Sequence, residues 1–261
     1  MTDWLAVCRG AVEDVRVVLA DLPTRAEREP VLGRGLGGDE TTAIDQAAED
    51  AILARLRDLD VTIVSEEAGR LGAGSTLVVV DPIDGSLNAK RGIPFFSLSL
   101  AIADGERMQD VFFAYVYDFG SGEEWIGRRG GGATVNGEPL GAVRPKERIE
   151  ILSFEATRTS LIAAQAPAVV ELAYRLRIMG SLALSLCHLA AGRVDAVCSL
   201  KPARSVDIAA AQLLVREQGL AIDLPDAPPF HDAPLDVAGR SRVVAAGTPQ
   251  LCARLYAALS A

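Results

Sequence analysis

The eight residues Asp81-Pro82-Ile83-Asp84-Gly85-Ser86-Leu87-Asn88 constrain this chain more than any other stretch. They follow the apolar run Leu77-Val78-Val79-Val80, which reads as a buried strand. Two carboxylates therefore emerge together at a strand end, where functional residues often sit. Pro82 fixes its own φ and holds Asp81 extended, and Gly85 permits a tight turn. Both carboxylates, with the carbonyl of Ile83, can then face one point. Anions that close repel one another unless they take up protons or share a cation. Oxygen-only donors on a short, stiff turn suit Mg²⁺, which binds through a few carboxylates plus substrate phosphate.

Other acids bear on the same point. Val61-Thr62-Ile63-Val64 reads as a short strand delivering Ser65-Glu66-Glu67. An isolated Glu-Glu pair at a strand end is ordinarily a solvated charge pair, but beside a second acidic turn it becomes half of a cluster. Lys90 and Arg91 offer partial local compensation. Asp45 and Glu49 lie near the start of a helix predicted over about 42–59, where acids complement the macrodipole. The functional alternative is that Asp45 reaches the cluster and shares a proton with a hydroxyl such as that of Ser86. Asp207 opens an alanine-rich helix predicted over 207–218, where the ordinary role is an N-cap.

Composition narrows the class. The chain has 261 residues, enough for one large domain or two modest ones, and 49% are hydrophobic, enough for a sizeable core. A net charge of −9 argues against broad binding of nucleic acid or anionic membrane. It leaves room for a phosphorylated substrate, because bound metal ions invert the local field. Cys8, Cys187, Cys198 and Cys252 are scattered without a CxxC pair, which fits buried free thiols in a reducing cytoplasm. No apolar run is long enough to cross a bilayer. Leu5, Cys8, Val12, Val15 and Leu19 mark an amphipathic helix where a signal peptide would lie, so the expectation is a cytoplasmic protein.

Along the chain, Phe96, Leu98, Leu100 and Ile102 alternate with small residues in the period of a strand. Strand-like stretches at 111–117 and 123–126 flank the turn at Gly120-Ser121-Gly122 and point to antiparallel pairing. The polar segment 141–147, with Pro145, suggests a boundary between an α+β half, residues 1–145, and an α/β half, residues 146–261. In the second half, strands at 151–154, 196–198 and 243–246 alternate with helices predicted over 160–176, 181–191, 207–218 and 249–259. Gly33-Arg34-Gly35-Leu36-Gly37-Gly38 satisfies G-x-G-x-x-G, but a charged, proline-containing segment precedes it, so a mobile active-site loop is the better reading than a dinucleotide turn. His188 lies in an apolar helix as a packing residue, and no nucleophile elbow or P-loop is present.

Ser65-Glu66-Glu67, Asp81 through Asn88, Gly180-Ser181-Leu182-Ala183 and Val206-Asp207-Ile208-Ala209-Ala210 occur in this order. Together they resemble the signatures of the inositol monophosphatase superfamily. Arg91-Gly92-Ile93-Pro94, followed by Ser97 and Ser99, is most similar to the archaeal-type enzymes that act on fructose-1,6-bisphosphate and inositol-1-phosphate. The resemblance implies a five-layered αβαβα sandwich, usually a homodimer, with two or three Mg²⁺ per active site. It implies that Glu66, Asp81 and the carbonyl of Ile83 hold one ion, and that Asp81, Asp84 and Asp207 hold another. Asp45 and Ser86, with Glu66, would serve the attacking water, and Gly85 and Ser86 would receive phosphate. Gly180, Ser181 and Leu182 would form the substrate loop. Ser199 falls near the acidic residue with which animal-type enzymes grip inositol, and Arg177, Lys201 and Arg204 are cations suited to a second phosphate. The expected activity is hydrolysis of small sugar or polyol phosphates. The alternatives are a phosphatase of 3′-phosphoadenosine bisphosphate or NADP(H), and a non-catalytic docking protein of the same fold.

Overall fold

The computed structural model describes residues 2–144, 146–155 and 158–260. Pro145, within the expected boundary at 141–147, lies outside the described residues. In the first half, helix α1 (Trp4–Asp21) leads through the single turn α2 (Arg25–Arg28) and the strands β1 (Val31–Arg34) and β2 (Glu40–Thr42) into helix α3 (Ala43–Leu56). Strands β3 (Val61–Ser65), β4 (Gly69–Gly72) and β5 (Thr76–Asp84) follow, then the short helix α4 (Ser86–Arg91). Strands β6 (Ser97–Ala103), β7 (Val111–Asp118), β8 (Glu124–Arg128), β9 (Gly132–Val135) and β10 (Glu138–Pro139) complete it.

The second half runs β11 (Ile149–Glu155), α5 (Thr159–Val169), β12 (Ala173–Arg177), α6 (Leu182–Ala190), β13 (Ala196–Ser199), α7 (Ser205–Ile208) and α8 (Ala211–Glu217). It closes with β14 (Ala221–Asp223), β15 (Val244–Ala246) and α9 (Pro249–Ser260).

Period-two alternation explains the layering. In β5, Val78 and Val80 face a core shared with Cys8, Val12 and Val15 of α1 and Ile44, Ala48 and Ile52 of α3. Leu77 and Val79 face the opposite way, into a core with Leu184, Leu186 and Leu189 of α6 and Leu213 and Leu214 of α8. The large sheet, ordered β10-β9-β8-β7-β6-β5-β3-β4, is thus covered on both faces. It is antiparallel apart from the pair β3 and β5. Helices α6 and α8 also pack against the second sheet, ordered β12-β11-β13-β15-β14. The outer face of that sheet buries Phe154, Cys198 and Val244 against Leu251 and Leu255 of α9. The result is the expected αβαβα sandwich. All four cysteines are buried and free.

The second half departs from expectation in two places. The helix predicted over 160–176 ends at Val169, and Ala173–Arg177 forms an edge strand pairing parallel with β11. Pro167 sits in the last turn, and its missing N–H favours ending the helix. The helix predicted over 207–218 is two pieces, α7 and α8, so Asp207 is the third residue of a one-turn helix whose N-cap is Arg204, and not the N-cap itself.

The shared helical layer sets a stability expectation. Leu186→Ala, at a fully buried position between the two sheets, should lower unfolding free energy by about 2–5 kcal/mol in urea melts. Val17→Ala, on the exposed face of α1, should change it by less than about 0.5 kcal/mol. Equal effects would contradict the layering.

Candidate metal centre and active site

The acidic stretch is not a turn after the strand but its last, bulged residues. Asp81 pairs with Ser99 and Asp84 with Ser97, so β5 carries one extra residue over that interval. Pro82, which has no N–H for the ladder, falls inside the bulge. The N–H of Ile83 turns to Asp81 Oδ1 at 3.0 Å, and Ser86 Oγ donates to the Ile83 carbonyl at 3.1 Å. Gly85 has φ +96°, and a Cβ there would lie 3.1 Å from the carbonyl oxygens of Gly180 and Phe95. Glycine is therefore required on both conformational and steric grounds.

Parallel pairing brings the second acidic segment alongside. Ser65 is opposite Val80, so the chain leaving β3 delivers Glu66 next to Asp81. Glu49 fixes that exit, accepting from Ser65 Oγ, from the N–H of Glu67 at 3.2 Å and from that of Ala68 at 3.1 Å. The glycine-rich segment begins in β1 with Gly33 and Arg34, and Gly35 to Gly38 lie in the β1–β2 loop, which docks on the same exit. The N–H groups of Leu36 and Gly37 donate to the carbonyls of Glu67 and Glu66, both at 2.9 Å.

The third acid comes from the other half of the chain. Carboxylate oxygens of Glu66, Asp81 and Asp207 all lie within 4.8 Å of one another. They line a cleft of about 360 Å³ shared with Asp45, Ile83, Asp84, Gly85 and Ser86. Asp84 is tied to the start of α6: its Oδ2 accepts from Ser181 Oγ at 2.5 Å and from the N–H of Ala183 at 2.7 Å. A helix start favours negative charge there. Asp45 Oδ2 accepts from the N–H of Thr42 at 3.0 Å and from Thr42 Oγ1 at 2.5 Å. Asp45 Oδ1 is buried without a hydrogen-bond partner among the described residues.

One cation meets the acids directly. Arg204 Nη1 lies 2.6 Å from Glu66 Oε1, and Nη2 lies 2.9 Å from Asp207 Oδ1. Burial pulls the guanidinium's pKa down, but Asp207, Glu66 and Asp81 outweigh it, so the net shift is upward and the charge is permanent. Even so, one guanidinium does not neutralise the group. Burial, then Asp207 and Glu67, push Glu66 up to about 8 against the pull of Arg204. Burial and the neighbouring Glu66, Asp84 and Asp207 hold Asp81 well above the usual carboxylate range. Burial raises Asp84 to about 7, with Asp207 adding and the Ser181 hydrogen bond opposing.

This donor set fits a hard divalent ion. It is oxygen-only, it is drawn from rigid strand and helix ends, and it carries excess negative charge in a buried place. The unpartnered Asp45 Oδ1 adds an acceptor at the edge of the same cleft.

Comparison with known proteins decides the family. The model of the Inositol monophosphatase family matches residues 6–261. The chain belongs to the inositol monophosphatase family. A fructose-1,6-bisphosphatase/inositol-1-monophosphatase from Archaeoglobus fulgidus is 34% identical over 247 residues, covering 94% of this chain and 93% of the relative. Nus factor SuhB from Pasteurella multocida is 37% identical over 191 residues, covering 69% of this chain and 70% of the relative. The crystal structure of an inositol monophosphatase-fructose 1,6 bisphosphatase superposes with a TM-score of 0.87 at 26% identity, covering 99% of this chain and all of the other. A Pyrococcus horikoshii protein with similarities for inositol-1 monophosphatase gives a TM-score of 0.81 at 27% identity, over 98% of this chain and 97% of that one. The protein is thus a phosphatase of a metal-dependent family, as the resemblance implied.

Within that family frame, several residues lie elsewhere than the sequence suggested. The hydroxyl bonded to Asp45 is that of Thr42, while Ser86 serves the Ile83 carbonyl. Arg177 is exposed on the edge strand β12, bonds the carbonyl of Leu176 and no other group among the described residues, and does not line the cleft. Arg204 is not a spare cation but is committed to Glu66 and Asp207. Lys201 lies at the rim, paired with Asp39 at 3.0 Å. Gly180 and Leu182 line the cleft, and Ser181 binds Asp84.

Three cleft residues escaped sequence reasoning. Glu155 accepts from the N–H groups of Met179 at 3.2 Å and Gly180 at 2.8 Å and so holds the segment that leads into α6. Arg240 reaches the Gly37 carbonyl and shares the cleft with Asp39. Neither Glu155 nor Arg240 stands in a local motif, and Asp39 offered no signal beyond its place after the glycines. The commitment of Arg204, by contrast, had a signal in its three-residue spacing from Asp207, the spacing of a capping box.

The raised pKa of Glu66 sets a pH expectation. A carboxyl whose folded pKa exceeds its unfolded value favours folding fully below the unfolded pKa, and that contribution is lost as pH rises through the folded value. For Glu66 the window runs from 4.5 to about 8. In EDTA, melting temperature should fall across that window, and Glu66→Gln should make the fall shallower. Parallel declines for the two proteins would contradict the buried, acid-crowded setting of Glu66.

Proposed function

We propose that the protein is a Mg²⁺-dependent phosphomonoesterase of small sugar and polyol phosphates, with fructose-1,6-bisphosphate and inositol-1-phosphate the first candidates. The observation that carries the reading is the convergence of Glu66, Asp81 and Asp207 within 4.8 Å, in a cleft that also presents Asp84 and Asp45. The Archaeoglobus fulgidus relative is named for both substrates.

In this reading Glu66, Asp81, the Ile83 carbonyl, Asp84 and Asp207 hold two or three Mg²⁺. Ions bound there lower the pKa of water and stabilise the charge that develops on the leaving oxygen. The chain's own residues do the positioning. Thr42 fixes one oxygen of Asp45, and the other is an acceptor free to orient or deprotonate the attacking water. Ser86 locks the Ile83 carbonyl, while Gly85 lets the backbone approach the phosphate without a side chain in the way. Glu155 and Asn88 fix the Met179–Gly180 segment against which the substrate body lies. Lys201, Lys90 and Arg240 line the cleft and suit the second phosphate of a bisphosphate.

The test is a phosphate-release panel with Mg²⁺ and then EDTA, headed by the two candidates and including 3′-phosphoadenosine bisphosphate and NADP(H). EDTA-sensitive release, fastest on a sugar or polyol phosphate, supports the reading. Release confined to the nucleotides moves the substrate class. The similarity to Nus factor SuhB gives a specific reason to include the docking alternative, which predicts no EDTA-sensitive release on any member. Asp84→Asn preserves volume and removes one charge, and should cut turnover by at least ~100-fold, the scale of a major electrostatic contribution. Near wild-type release by that variant would remove Asp84 from the metal set.

A further inference from the structure

The cation nearest the acids belongs to the chain itself, and it is fixed rather than mobile. The Arg204 side chain is 8% exposed, less than either Glu66 or Asp207, each at 15%. Its backbone is pinned on one side by reciprocal hydrogen bonds between Ala203 and Ser241, at 2.7 and 3.0 Å. On the other side its own N–H donates to Asp207 Oδ2 at 2.7 Å. The far end fits beneath the glycine-rich loop, where a Cβ on Gly37 would stand 2.7 Å from Nη1. Asp39, on the same loop, adds a third carboxylate at 3.6 Å from Nη1.

We infer that Arg204 is a built-in counter-charge that sets how tightly the acidic cluster holds divalent ions, because it shares the same carboxylates with the ion: its guanidinium meets one oxygen of Glu66 and Asp207 Oδ1, and its own N–H and Nε meet Asp207 Oδ2. The inference rests on the reading that the triad holds metal. A guanidinium in contact with two ligand carboxylates repels a divalent ion placed beside them. In a buried site salt does little to screen that repulsion. The same guanidinium holds together carboxylates that would otherwise push apart. Charge and geometry are separable by substitution. Lysine retains the charge but lacks the planar fork that reaches two carboxylates at once, and glutamine retains polarity without charge. Arg204 acts here on the ligands and not on the substrate, so it is a positioning residue.

The experiment measures Mn²⁺ binding to the full chain by calorimetry and by the electron paramagnetic resonance of free Mn²⁺, in the wild type, Arg204→Gln and Arg204→Lys. Folding is followed by circular dichroism in EDTA. Arg204→Gln should bind Mn²⁺ about ten-fold tighter or more, the scale of one unit charge removed near a partly screened site. It should melt lower than wild type in EDTA and gain more from added Mn²⁺. Arg204→Lys should stay within about three-fold of wild type, since the charge remains. If Arg204→Gln folds only with Mn²⁺, the Mn²⁺ concentration at half-maximal folding supplies the affinity for the same comparison. Unchanged or weaker Mn²⁺ binding by Arg204→Gln overturns the inference. Unchanged Mn²⁺ binding with a raised KM alone would mark Arg204 as a phosphate anchor instead. A wild type that binds no Mn²⁺ defeats the metal reading itself, and the inference falls with it.

Discussion

Carboxylates converging in a buried place repel one another, and most of the local structure around the cleft answers that repulsion. Glu66, Asp81 and Asp207 come within 4.8 Å, and Asp84 lines the same cleft. In water such a group would disperse. Here each acid is held by backbone that has no freedom to retreat. Asp81 sits in a strand bulge pinned by the Ile83 N–H. Glu66 leaves a strand whose exit Glu49 ties down. Asp84 is anchored to the start of α6, and Asp207 to the backbone of Arg204. The raised pKa values of Glu66, Asp81 and Asp84 are the residual cost of this arrangement.

The layers of the fold make such rigidity possible. Among the described residues, the one parallel pair in the large sheet is β3 with β5, and it is this pair that sets Glu66 beside Asp81. An antiparallel neighbour would have carried the second acid to the opposite end of the sheet. Helices α6 and α8 lie between the two sheets, so the second half brings Ser181, Ala183 and Asp207 to the same sheet end. The site is therefore built across both halves of the chain, and its geometry depends on the packing of the shared helical layer.

Charge balance is also distributed. The sequence neighbourhood of the acids offered Lys90 and Arg91, yet Arg91 is drawn off to Glu29 at 2.8 Å. The guanidinium that meets the acids comes from Arg204, with Lys201 and Arg240 at the rim. The β1–β2 loop then closes over this set through Gly37 and Asp39. Glycine at position 37 allows the loop backbone and the Arg204 guanidinium to share one small volume.

The local sequence determined much of this. Alternation in 96–103 and the apolar run at 77–80 gave the strands. The order of four short signatures gave the family, and the acidic stretch among them is shaped largely by contacts within a few residues: a bulge around a proline, a glycine with positive φ, a hydroxyl on a nearby carbonyl. Tertiary structure alone decided the rest. Whether Asp45 bonded Thr42 or Ser86 turned on a capping turn three residues long competing with a distant hydroxyl. Whether 173–177 became helix or strand turned on an open edge of β11, which supplies hydrogen bonds that local propensity does not register. Arg177 and Arg204 looked alike in sequence, as cations near the substrate loop. Packing left the first on an exposed edge strand and buried the second among carboxylates, because long-range Coulomb attraction depends on where the sheets and helices bring charges together and not on their spacing along the chain.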